Sequence, residues 1–264
     1  MNQFNIKQHF DLLKILTVRE VSARYQGSVL GLIWVIINPV LLMLVYYFFF
    51  KLVFQVKFEN RYGAEPLDFV AFVFTGLIVY FAFSEILSKA PSLIHENVNL
   101  VKKVVFPLDV IPLVSVFSAC FNFMVSFSIL IIYQVCFGTG IGWNIVFVFC
   151  LLPAFILFMS GCSFFVSAVS VYVRDVSYIV GFLVTAMMFL SPVFYSMDTL
   201  PSDFQVIVAL NPLTHFIEFM RFIVNSRSVP PGELFAMMYG AGIVSFLAGG
   251  WVFKRLRNGF ADIL

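Results

Sequence analysis

The chain has 264 residues, of which 61% are hydrophobic and 11% charged, and its formal net charge is +2. Soluble domains carry about a quarter charged residues, so a soluble globular fold is excluded and no nucleic-acid partner is expected. A transmembrane helix takes ~20 predominantly apolar residues. The length therefore allows roughly six spans with short loops, and lipid contact accounts for most of the 35 phenylalanines.

Residues 4–17 suit a helix lying on the membrane surface. Ile6, Phe10, Leu13 and Leu16 fall on one face, and Lys7, Asp11 and Lys14 on the other. The apolar stripe drifts after Thr17, which predicts a bend before Gly27, so residues 1–28 read as an interfacial element. Charged residues interrupt every apolar run before residue 29, so no signal peptide is expected.

The first span is predicted over 30–54, with Asn38-Pro39 inside it, and a loop bearing Lys57, Glu59, Arg61, Glu65 and Asp68 follows. The second covers 69–87. Residues 88–107 are polar and helix-capable, with Glu96, Asn97, Asn99, Lys102 and Lys103 giving polar faces and Leu93, Leu100 and Val101 apolar anchors. A segment of that kind fits either a docking surface for a cytosolic partner or a solvated loop. The third span covers 108–137, "GTGIGW" turns the chain, and the fourth covers 144–173. Arg174-Asp175 makes a tight turn into the fifth span, 176–190, and the sixth covers 234–253.

Between the last two spans lies "SPVFYSMDTLPSDFQVIVALNPLTHFIEFMR", too apolar for a loop and too broken to cross. Asn211-Pro212 divides it, because the residue before a proline is pushed away from helical geometry. Beyond it, Leu213, Phe216, Ile217, Met220 and Ile223 share one helical face, and His215, Glu218 and Arg221 the other. Two readings fit: a hairpin dipping into the outer leaflet, tolerated only against protein or a water-filled cavity, or an amphipathic helix resting on lipid.

Eleven Lys and Arg fall on the side of the N-terminus and five on the other. The positive-inside rule then places both termini in the cytoplasm. The span centres hold no Asp, Glu, Lys or Arg. Glu85 and Asp109 sit near inner ends and Asp68 near an outer end, a distribution that disfavours an ion-driven carrier. No phosphate-binding G-x-x-x-x-G-K-[ST] run exists, so any ATPase is expected on another chain. His9, His95 and His215 are scattered, and Cys120, Cys136, Cys150 and Cys162 lie in apolar runs at spacings that match no metal pattern. Small residues form stripes on the fourth span (Ser160, Ser163, Ser167, Ser170) and the sixth (Ala241, Ser245, Gly249). They suit close packing within the subunit or across a dimer.

Four stretches, "VSARYQGSVLGLIWVIINPVL", "ENVNLVKKVVFPLDVIPL", "VYVRDVSYIVGFLVTAMMFLSPVFY" and "LNPLTHFIEFMRFIV", resemble the permease subunit of ABC exporters for O-antigen and related polysaccharides, including teichoic acid and capsule. The resemblance implies an all-α membrane protein of one domain, 1–264. It would have six spans, an N-terminal interfacial helix and an outer re-entrant hairpin, 197–230, before the last span. It places Glu96, Asn97, Lys102 and Lys103 in a coupling segment, and Arg174 and Asp175 in an inner turn. Asn211, Pro212, His215, Glu218 and Arg221 would form the outer gate.

It further implies a homodimer in the bacterial inner membrane with two nucleotide-binding subunits, ATP and Mg sitting on those partners and no cofactor on this chain. Tyr46, Tyr80, Phe194 and Tyr195 are candidates to line a glycan channel, with lipid contact the alternative for each. The rival readings are a permease for a small lipid or drug, a passive channel, and a membrane enzyme of lipid-linked sugars using Glu85 with Asp109.

Overall fold

The computed structural model describes residues 6–53, 69–102, 106–137, 140–226 and 229–264, and all regular structure among them is helical. The loop carrying Lys57 through Asp68 lies outside the described residues, as do Lys103 and Arg227. In chain order come α1 (Ile6–Arg24), a 3-10 turn (Gly31–Ile33), α2 (Trp34–Tyr46) continued by a π-helical stretch (Tyr47–Val53), and α3 (Phe69–Lys89). Two single turns follow, α4 (Leu93–Glu96) and α5 (Val98–Val101), then α6 (Val110–Phe137). A 3-10 segment (Trp143–Phe147) leads into α7 (Val148–Tyr172), followed by α8 (Val176–Leu190), α9 (Ser202–Leu210) and α10 (Pro212–Asn225). The chain closes with α11 (Gly232–Leu256) and the terminal turn α12 (Phe260–Ile263).

Among the described residues five helical stretches are long and apolar enough to cross a membrane: Gly31–Val53, α3, α6, Trp143–Tyr172 and Gly232–Ile263. The expected fifth span, α8, has the predicted boundaries, but its 15 residues reach only about 22 Å, short of a ~30 Å hydrocarbon core. The helix ends show that it nonetheless serves as a crossing. At one end of the bundle α1 meets the C-terminal end of α3 through Arg24–Glu85 and Glu20–Lys89. Ala90, Leu93 and Ile94 share an apolar cluster there with Phe253 and Phe260. Both ends of the described chain therefore lie together, which requires an even number of crossings. The sixth is α8, since Val184 within it is bonded by Tyr80 of α3, and Val193 just past its end is bonded by Arg221, which lies on Phe72 near the start of α3.

The same accounting decides the fate of α9 and α10. The α8 helix runs away from the α1 end, and α11 must begin at the opposite end in order to finish beside α1. The segment between them therefore leaves on the side where it entered. Its two helices are bent by 97° at Asn211, and Asn211 Nδ2 donates to Ser191 Oγ at 2.9 Å, beside the last turn of α8. Pro212 at the first helical position and the Asn211 side chain accepting from Leu213 N at 3.0 Å explain the new helix start.

At the centre stands α3, apolar all round and buried along nearly its whole length, as such a helix must be. The α7 and α11 helices pack face to face, with Gly161 and Gly249 at the closest point: a Cβ on Gly249 would lie 2.0 Å from the Gly161 carbonyl oxygen. The small-residue stripes thus serve packing within one subunit here. By contrast α2 is largely exposed, and Pro39 within it removes a backbone donor from the ladder.

The N-terminal helix runs on past the predicted stretch 4–17 to Arg24, and the chain then turns over residues 25–27, where the bend before Gly27 was expected. Leu12, Leu13 and Leu16 turn half-buried towards the bundle, while Phe10, Ile15 and Val18 stay exposed beside Lys14 and Arg19. Tertiary partners for Glu20 and Arg24 hold the last turns in place, a signal that the apolar periodicity does not carry.

Candidate functional site

Three regions hold the residues singled out from sequence. The first is the polar segment after α3. Of its predicted anchors, Leu93 and Val101 are buried with Ile94, with Ala168 and Val171 of α7 and with Phe253 and Phe260, and Leu100 packs partly buried against them. This packing leaves His95, Glu96, Asn99 and Lys102 exposed to solvent. His95 Nε2 lies 3.4 Å from the Ser170 carbonyl oxygen, so its ring is tied to α7. Asn97 is turned inward: its Nδ2 donates to the Leu93 carbonyl at 2.9 Å and closes the α4 turn. Glu96 and Lys102 are therefore presented to solvent, Asn97 shapes the backbone, and Lys103 is outside the described residues. Arg174 and Asp175 form an exposed turn at the same end of the bundle. Their carbonyls accept from Ser177 N and Tyr178 N and so start α8.

The second region is the bent pair. Leu213, Phe216, Ile217, Met220 and Ile223 are buried as the periodicity predicts, but the opposite face does not open to solvent. Arg221 has 0% of its surface exposed, so the polar face of His215, Glu218 and Arg221 is closed over at Arg221. Its Nη1 donates to Glu218 Oε1 at 2.8 Å and to the Tyr195 carbonyl at 3.3 Å, and its Nη2 donates to the Val193 carbonyl at 3.0 Å. The guanidinium lies 3.5 Å from the centroid of the Phe72 ring. Five N–H donors in a flat fork suit this combination of carboxylate, carbonyls and ring face. His215 and Glu218 remain half-buried. Burial on both faces rules out α10 as a helix resting on lipid, whereas α9 exposes Phe204, Val206, Ile207 and Leu210.

The third set is the aromatics. Tyr46 stacks on Phe50, with centroids 6.0 Å apart, and meets Phe194 at 6.2 Å. Both Tyr46 and Phe194 are half-buried along the exposed edge of the bundle. Tyr195 is half-buried and donates to the Phe189 carbonyl at 3.1 Å. Tyr80 is 4% exposed and donates to the Val184 carbonyl at 2.9 Å. It is a bolt between α3 and α8.

Sequence reasoning missed a polar ladder joining α1, α3 and α6. Arg24 Nη2 donates to Glu85 Oε1 at 2.5 Å and reaches Ser118 Oγ at 3.5 Å. Asn122 Nδ2 donates to Glu85 Oε2 at 3.0 Å. One turn along, Lys89 pairs with Glu20, to which Ser115 Oγ also donates at 3.3 Å. Burial by itself lowers the Arg24 pKa, but the hydrogen bond and charge of Glu85 outweigh it and hold the guanidinium above its ordinary value. The available signal was the repeated acid-to-base spacing of four, Glu20 to Arg24 and Glu85 to Lys89, which matches charge to charge when the helices run antiparallel. Asp109 is not part of this group. It lies 13 positions before Asn122, about 20 Å along the helix, so the structure does not bring the Glu85–Asp109 pair together.

A bundle of six crossings, with a re-entrant pair at one end and a docked polar segment at the other, defines a polytopic α-helical membrane protein. The comparison with known families then gives the particular one. Residues 11–225 match the model of the ABC-2 type transporter membrane domain, and the chain belongs to that family. It is 30% identical to the O-antigen export system permease protein RfbA of Myxococcus xanthus, over 97% of this chain and 96% of that protein. It is 28% identical to an RfbA of the same description from Klebsiella pneumoniae, over 99% and 98%. With the capsule polysaccharide export inner-membrane protein CtrC of Neisseria meningitidis it shares 27% identity over 92% and 90%.

Proposed function

We propose that this chain is the membrane-spanning subunit of an ATP-driven exporter that moves a lipid-linked polysaccharide, O-antigen foremost, across the bacterial inner membrane. The observation that carries the reading is the end-to-end likeness to permeases named for polysaccharide export, at 27–30% identity over at least 92% of the chain. Such likeness extends through the re-entrant pair and the polar segment alike. The working unit is a homodimer with two copies of a nucleotide-binding subunit, which hold ATP and Mg. Both termini lie in the cytoplasm, in keeping with the excess of Lys and Arg at the α1 end.

In this reading the exposed Glu96 and Lys102 meet the nucleotide-binding subunit. A displacement there passes directly into α3, since Ala90 N bonds back to the Ile86 carbonyl, and into α1 through the ladder. At the far end of α3, Phe72 carries the Arg221 guanidinium, so movement of the rod shifts α10. Lys89 and Phe72 are 17 positions apart, about 25 Å of helix. The chain itself performs no covalent step, and its task is to guide the glycan and gate its passage.

Deleting the gene tests this reading. Surface polysaccharide should disappear while lipid-linked polymer accumulates inside the cell, and normal surface glycan in the deletion strain would refute it. Co-purification of a nucleotide-binding subunit whose ATPase responds to lipid-linked glycan separates the exporter from a passive channel. Loss of capsule in place of O-antigen would select the reading favoured by the likeness to CtrC.

A further inference from the structure

A cleft of about 400 Å³ opens between α2, α3 and α6, within the range of small-ligand sites, roughly 300–1,000 Å³. Its walls are graded. Phe74, Ile78, Phe81 and Leu42 line the outer part, and Asn38, Glu85 and Asn122 the part nearest α1. From Phe74 to Glu85 is 11 positions, about 16 Å along the α3 axis. A slot apolar at one end and polar at the other, set along a spanning helix, has the shape of one lipid chain beneath its headgroup.

The polar end states which head. Glu85 lines the cleft and is held by Arg24; Lys89 and Glu20 form the next rung. Two bases and two acids alternate there and sum to zero charge. A carrier ending in phosphate or diphosphate needs a surplus of cations, which this cluster lacks. A zwitterion finds both signs. The Arg24 and Glu85 side chains are 30% and 26% exposed, so each has surface left for a further partner. Arg24 commits only Nη2 to Glu85 and Ser118 among the described residues, leaving N–H donors for a phosphate. The Glu85 carboxylate and the Asn38 and Asn122 carboxamides are acceptors for a primary ammonium with three N–H donors. A quaternary ammonium offers none.

We propose that this cleft is a binding site for an ammonium-bearing zwitterionic phospholipid of the phosphatidylethanolamine class. The lipid's head sits on the Glu85–Arg24 rung, with one of its acyl chains lying along α3. The site takes a membrane lipid whatever glycan is exported.

The test uses the full-length chain in mixed vesicles with a photoactivatable phosphatidylethanolamine carrying its reactive group in the acyl tail. Crosslinks should map to α3 near Phe81 and to α6 near Ser126. Ser126→Phe, which fills the slot from a half-buried position, should cut them about tenfold. Glu85→Gln should cut them severalfold. Labelling of the exposed Trp251 face of α11 should stay constant in both variants and reports intact folding. Excess unlabelled phosphatidylethanolamine should compete better than phosphatidylcholine, phosphatidylglycerol or a polyprenyl phosphate. Crosslinks unchanged by Ser126→Phe would overturn the proposal. So would equal competition by all four lipids, which marks an annular lipid, or superior competition by the polyprenyl phosphate, which marks the carrier.

Discussion

Arg221 shows how one residue can change role between sequence and structure. On a helical wheel it sits with His215 and Glu218 on a polar face; in the fold it is fully enclosed by Glu218, two carbonyls and Phe72. Breaking a buried ion pair from one side costs about 3–5 kcal/mol, because the remaining charge has no counterpart. Arg221→Ala should therefore lower the unfolding temperature of the detergent-solubilised protein by several degrees and reduce its yield. Arg221→Lys should recover only part of the loss, since an ammonium cannot serve the carboxylate, both carbonyls and the ring together. Gly161 and Gly249 make the second prediction at this scale. A methyl group at either meets backbone at 2.2 or 2.0 Å, so Gly161→Ala or Gly249→Ala must push α7 and α11 apart. Overpacking of this kind costs roughly 1–3 kcal/mol, and the same thermal measurement reads it. Gly250, which meets nothing within 4 Å, should accept alanine without a shift. The small-residue stripe was legible in the sequence. Which glycine carries the close approach was not, because that depends on where two helices far apart in the chain cross.

For the elements, the ladder and the bent pair matter most. Two rungs of opposite polarity seat α1 on α3, and each partly exposed pair contributes about 1 kcal/mol or less. Their value lies in register more than in stability. Lys89→Glu should loosen α1 and speed proteolysis within it, and Glu20→Lys on the same chain should restore protection by rebuilding the rung with its charges exchanged. Failure of the double variant to recover would mean that α1 is seated by Leu12, Leu13 and Leu16 alone. In the bent pair, Asn211 serves as cap for α10 and as tether to Ser191. Asn211→Ala removes a cap worth about 1 kcal/mol together with the tether. It should impair surface display of the glycan more than it lowers stability, as measured by comparing display with protein level. The break at Asn211-Pro212 was visible from the proline alone, and the apolar face of α10 from its period. Its second buried face was invisible, since nothing in a local pattern records that α3 and the 191–196 turn close over it.

Over the whole molecule, an even number of crossings puts residues 96, 174 and 258 on one side and residue 198 on the other. Single cysteines at Glu96 and Asn258 should react with a membrane-impermeant maleimide only after the inner membrane is opened, and one at Asp198 should react in intact spheroplasts. The reverse pattern would invert the proposed orientation. By itself the sequence determined the solvent, the ends of α3, α6, α8 and α11 to within a few residues, and the presence of a segment that cannot cross. These are local properties: apolar length, proline positions and the spacing of Lys and Arg act over one or two turns of chain. Tertiary structure alone decided that Tyr80 and Arg221 are interior ties, and that Glu85 belongs to Arg24 and Asn122 and not to Asp109. Each of those outcomes is set by partners 26 or more positions away. In a bundle with so few charges, a polar side chain's role is fixed by the partner that the packing delivers to it, since an unpaired charge at that depth costs several kcal/mol.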